Sequence, residues 1–62
     1  MSKYTSAIII THNSEDAGNT VTTVPLNDLG YAVDGLKVIQ NDSNYVVWMD
    51  NHYTVIATKM HA

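Results

Sequence analysis

Between Leu36 and Met60 apolar residues occupy both parities of a strand-forming sequence, a pattern that a short chain has little material to bury. Asn41-Asp42-Ser43-Asn44 and Asp50-Asn51 are turn formers separating runs rich in β-branched and aromatic residues. They predict a three-strand antiparallel meander. With Asp50-Asn51 as the two central hairpin residues, Met49 faces His52, Trp48 faces Tyr53, Val47 faces Thr54 and Val46 faces Val55. With Asn41 to Asn44 as the first loop, Gln40 faces Tyr45, Ile39 faces Val46 and Val38 faces Val47. Both turns carry residue types that tolerate the positive φ of tight hairpins.

Strand alternation then divides the meander into two faces. One carries Leu36, Val38, Tyr45, Val47, Met49, Thr54 and Ile56; the other carries Ile39, Val46, Trp48, Tyr53, Val55 and Ala57. The aliphatic face is the expected protomer core, packed on Ile8 or Ile10 and Leu29. The aromatic face is the expected contact surface, through Tyr45, Val46, Trp48, Met49, Tyr53 and Val55, because aromatics and Met are enriched at interface cores.

Upstream, Tyr4 to Thr11 reads as a strand whose consecutive isoleucines call for burial on both sides. His12 to Asn19 reads as a polar loop. Thr20 to Val24 suits an edge strand, ended by Pro25. From Asn27 to Gly35 two readings compete. In one, Asn27 caps a short helix with Leu29, Ala32, Val33 and Leu36 at helical spacing; in the other, Gly30 forms a turn before a further strand. The expected fold is therefore mainly β, or a small α+β variant. It is one domain over residues 1–62, with a single antiparallel sheet or small barrel of about five strands, a meander at 36–60 and one short helix near 28–34.

At 62 residues and without cysteine, the chain has neither disulfides nor cysteine-based metal sites to support a small core. Oligomerisation is the remaining device, most simply a dimer. Six acids stand against Lys3, Lys37 and Lys59, with no arginine, for a net charge of −3. Phosphate neutralisation needs clustered basic residues, so direct nucleic-acid binding through Tyr45, Trp48 and Tyr53 is not expected. The acids fall in turns or at a helix start, where solubility and turn chemistry explain them; imitation of nucleic acid by an acidic surface needs a denser run of carboxylates. No secretory signal or long apolar segment is legible, which gives a cytoplasmic, non-membrane expectation. On that expectation the acceptor pattern Asn41-Asp42-Ser43 is a turn and not a glycosylation site.

No chemical motif emerges, and no enzyme, cofactor or metal is expected. His12, His52 and His61 with Asp50 are the only plausible metal ligands, but they lie in separate segments. Ser6, Ser14 and Ser43 sit in no strained elbow. Gly18, Gly30 and Gly35 are too dispersed to cradle a phosphate, and Glu15-Asp16 adjoin within a loop. By size and composition the chain is comparable to short phage-type proteins that bind and block a host protein, such as a defence or nucleic-acid-processing enzyme. The leading expectation is thus a non-enzymatic, homo-oligomeric interaction protein with a protein partner. The alternatives are a sequestering protein that binds a nucleotide-like ligand between subunits, closed by Asn13, Asn41 and Asn51, and a weak metal-dependent enzyme using Asp50, His52 and His12.

Overall fold

A computed structural model describes residues 3–12 and 18–60. The strands are β1 (Tyr4–His12), β2 (Asn19–Thr23), β3 (Lys37–Asn41), β4 (Tyr45–Met49) and β5 (Tyr53–Lys59). They form one open antiparallel sheet in the order β2-β1-β5-β4-β3. The mainly β fold with a terminal meander and one short helix is as expected. β1 and β5, the longest strands, are central, which is where a sequence apolar on both parities belongs.

Pro25 ends β2 and opens a 3-10 turn, Leu26–Asp28, that runs into the single-turn helix α1 (Leu29–Ala32). Proline's fixed φ suits that position; Pro25 precedes the 3-10 turn and Asp28 precedes α1, neither with a side-chain capping bond, so Asn27 is not the cap. Gly35 leaves the helical segment at φ +83°, a conformation that costs glycine little. The connection lies across one face of the sheet. There Leu29 and Val24 join Ala7, Val55 and Ala57 in the buried cluster, flanked by Tyr4, Ile9, Leu26, Ala32, Val33, Leu36 and Trp48. Val55 is the largest fully buried side chain.

Two features of register differ from expectation. Tyr45 pairs with Thr58, Val47 with Ile56 and Met49 with Thr54, so the second hairpin turns around Asn51 and His52 rather than Asp50 and Asn51. The reason is chemical. Asp50 Oδ1 accepts from the backbone N–H groups of His52 (2.7 Å) and Tyr53 (2.8 Å), while the Asp50 N–H donates to the Tyr53 carbonyl at 2.9 Å. Asp42 does the same with Asn44 (2.8 Å) and Tyr45 (3.0 Å), so Asn41 joins β3 and the first tip is Ser43-Asn44. Side-chain acceptance replaces the positive φ expected of these turns; among the described residues only Gly18 and Gly35 have positive φ.

The displacement moves each register by two residues, so parity survives across β4 and β5. Along β3 it does not. A bulge between Val38 and Gln40 leaves Gln40 opposite Val47 but sets Val38 opposite Trp48, moving Val38 off the aliphatic face. A second irregularity between Tyr4 and Ser6 places Tyr4 on the helix side with Ala7.

Candidate functional site

Pairing across the sheet defines the second face. Ile10 is opposite both Val21 and Thr54, Ile8 opposite Ile56, Ile56 opposite Val47, and Met49 opposite Thr54. Ile8, Ile10, Val21, Val47, Met49 and Ile56 thus form a continuous apolar band from β2 to β4. No helix or strand among the described residues lies over it. Val47 is 8% exposed and Ile8, Ile10 and Ile56 are half-buried, whereas Val21 at the margin is 60% exposed. At one corner Gln40 Nε2 donates to Tyr45 Oη at 2.8 Å, and at another His12 Nε2 shares a 2.7 Å hydrogen bond with Thr54 Oγ1.

The charge distribution sets this sheet apart from the rest of the chain. The five strands contain Lys37 and Lys59 but no Asp or Glu. The described acids sit in the helical segment (Asp28), after it (Asp34) and at the hairpin tips (Asp42, Asp50). The described carboxylates are therefore held off the apolar face. Backbone N–H donors from Asn44 and Tyr45 hold the Asp42 carboxyl below its ordinary range, with Gln40 and Lys59 adding to the effect. His52 and Tyr53 N–H groups act likewise on Asp50, reinforced by the nearby imidazoles of His52 and His12.

The protomer core forms on the face opposite to the expected one. Trp48, Val46 and Val55 lie on the helix side, and Val46 (3% exposed) and Val55 (0%) are interior to the protomer. Tyr45 and Met49 lie on the uncovered face. Tyr53 pairs with Thr11 on the helix side, beyond the cover, and stays exposed. The six expected contact residues are thus divided between two surfaces. Ala7 and Ile9, rather than the expected Ile8 or Ile10, pack in the core with Leu29. The parity of β1 is set by its pairing with β5, which periodicity within an all-isoleucine run does not reveal.

The remaining candidates do not converge. No group of three or more His, Asp or Glu residues that could hold a metal forms among the described residues. His12 and His52 are adjacent through the His12 N–H to His52 carbonyl bond of 2.8 Å, near Asp50, but the Asp50 carboxylate is engaged by its own turn. Ser6 is exposed on β1 and Ser43 occupies a hairpin tip. Asn13, Ser14, Glu15, Asp16 and His61 lie outside the described residues. No pocket forms among the described residues, and none of their helices is long and apolar enough to cross a membrane. No known protein family, curated protein or solved structure matches the chain.

Proposed function

We propose that this chain is a non-enzymatic interaction protein that works as a homo-oligomer, its basic unit two copies packed through their uncovered sheet faces. The observation that carries this reading is the band of half-buried Ile8, Ile10 and Ile56 with buried Val47 on the sheet face opposite the protomer's own core, where no described helix or strand covers it. Two stacked sheets would complete the layered architecture that a one-sided sheet lacks.

Dimensions support a second copy as the occupant. A compact monomer of this mass exposes about 4000 Å², and one of this length has a radius of gyration of about 10.5 Å. The chain exposes 4546 Å² with a radius of gyration of 11.9 Å. The chain is thus less compact than a self-contained monomer of its size, as suits a sheet that takes a further layer. Charge supports it too: copies of net charge −3 would meet through a face that carries no carboxylate among the described residues.

In such a dimer the helix-bearing sides face outward. Tyr31, 85% exposed on α1, is the aromatic anchor available there for a protein partner. The biological action in this reading is occupation of a partner's surface rather than chemistry. Sedimentation analysis of the untagged protein over a range of concentrations tests the self-association. Native mass spectrometry on the same sample tests the action, since a co-purifying nucleotide-sized adduct would replace surface occupation with ligand sequestration.

A further inference from the structure

The two edges of the sheet are built differently. β3 is an edge interrupted by the bulge at Ile39 and carrying Lys37, both devices that discourage strand addition. β2, the sequence Asn19-Thr20-Val21-Thr22-Thr23, is exposed along its whole length, uncharged and in unbroken register with β1. Within β2 itself there is neither the bulge nor the lysine that protects β3.

The direction of its backbone groups follows from one bond. The Val24 N–H donates to the Ala7 carbonyl at 2.9 Å, so Val24 and Ala7 are a hydrogen-bonded pair of the β1–β2 ladder. Antiparallel pairs alternate between bonded and non-bonded types. Thr22 and Thr20 are therefore bonded to β1, and Thr23, Val21 and Asn19 turn their N–H and C=O groups outward. Continued one step further, the outward position is Pro25, which has no N–H to offer. The available edge thus ends at Pro25 on one side and at Gly18, with φ +70°, on the other.

We propose that this edge pairs with β2 of a second copy, antiparallel about a dyad at Val21. The pairing is self-complementary. Val21 meets its own symmetry mate, Thr20 meets Thr22, and Asn19 meets Thr23. The outward groups of Asn19, Val21 and Thr23 are then all matched, and threonine pairs directly opposite are favourable cross-strand neighbours. Because Val21 lies beside Ile10 on the uncovered face, the joined sheets present one continuous apolar surface twice as wide. The inference rests on the reading of the protein as a homo-oligomer but uses a different surface. Together the two contacts make a tetramer of two stacked ten-stranded sheets, each contact isologous.

Residue-resolved amide hydrogen exchange on the unaltered chain tests it, alongside sedimentation of Val21→Pro. That substitution removes an outward N–H without touching a β1 bond. Edge pairing predicts exchange at Val21 and Thr23 slowed at least about tenfold as concentration rises, beside concentration-independent protection at Thr20 and Thr22. It also predicts that Val21→Pro halves the oligomer mass. Fast exchange at Val21 in a sample that is oligomeric overturns the edge contact and leaves the face contact standing. Val21 protection persisting in Ile56→Lys, with a dimeric mass, isolates the edge contact. The exchange measurement decides the matter even if Val21→Pro does not fold, and a chain monomeric at all concentrations overturns both contacts.

Discussion

Tyr4 and Trp48 meet edge to face on the helix side of the sheet, with ring centroids 6.1 Å apart and planes at 73°. They come from β1 and β4, and β5 runs between them. On β5 the small Ala57 lies between the level of Tyr4, opposite Lys59, and that of Trp48, opposite Val55. The arrangement depends on the irregularity near Thr5, since plain alternation would turn Tyr4 to the opposite face. It makes Trp48 a half-buried residue packed against the protomer's core.

Trp48→Ala is accordingly expected to destabilise the protomer itself, by about 3 kcal/mol, regardless of protein concentration. Chemical denaturation at two concentrations checks this. A variant that keeps its folding stability but loses only its oligomeric mass would return Trp48 to the contact surface. A double-mutant cycle with Tyr4→Leu and Trp48→Leu is expected to give a coupling of roughly 1 kcal/mol.

Gly35 and Gly30 are expected to respond in opposite senses to alanine. Gly35 has φ +83°, so Gly35→Ala lowers stability by about 1 kcal/mol. Gly30 lies inside α1 with open space where a Cβ would go, and Gly30→Ala raises stability by up to about 1 kcal/mol. Thermal melts of the two variants side by side give both signs.

The paired hairpin turns predict acid sensitivity. Asp42 and Asp50 both titrate below their ordinary value of 3.8 in the folded chain. Their charged forms accept the turn N–H bonds, so this stabilisation is present above the unfolded carboxylate value and is lost as pH falls through the lower folded values. Asp42→Asn and Asp50→Asn keep an acceptor oxygen and should flatten that acid limb while largely retaining the neutral-pH melting temperature. The alanine variants should lower the neutral-pH melting temperature as well. Melting curves from pH 2 to pH 7 on all four variants separate the effects.

The strands, the meander and the helical segment were legible because β-branched runs, turn clusters and Gly35 each act locally. The assignment of faces was not, because it depends on two bulges and on a cover. A sheet apolar on both sides does not specify which side a helix only one turn long will protect. Leu29 and Val24 settle it by reaching Ala7 and Ala57, whose small side chains leave room for the cover and for the Tyr4 and Trp48 rings. One missed signal was local. Asp42-Ser43-Asn44-Tyr45 and Asp50-Asn51-His52-Tyr53 repeat one pattern, in which an aspartate accepts from the following tyrosine's N–H, and reading it would have fixed both hairpin registers. The outward edge of β2 was not legible, since backbone direction follows from the ladder and not from side-chain type.

The central claim is that the face around Ile56 joins copies of the chain, and sedimentation of the wild type beside Ile56→Lys tests it most directly. Ile56 lies between Ile8 and Val47 in the middle of the uncovered band. A lysine there can extend its ammonium into water in a lone protomer but not between two stacked sheets. The account predicts a wild type heavier than its 6.8 kDa protomer and an Ile56→Lys variant of half that mass or less, with its sheet circular dichroism intact. A wild type that sediments as a stable folded monomer, or an Ile56→Lys variant that keeps the full wild-type mass, would contradict it.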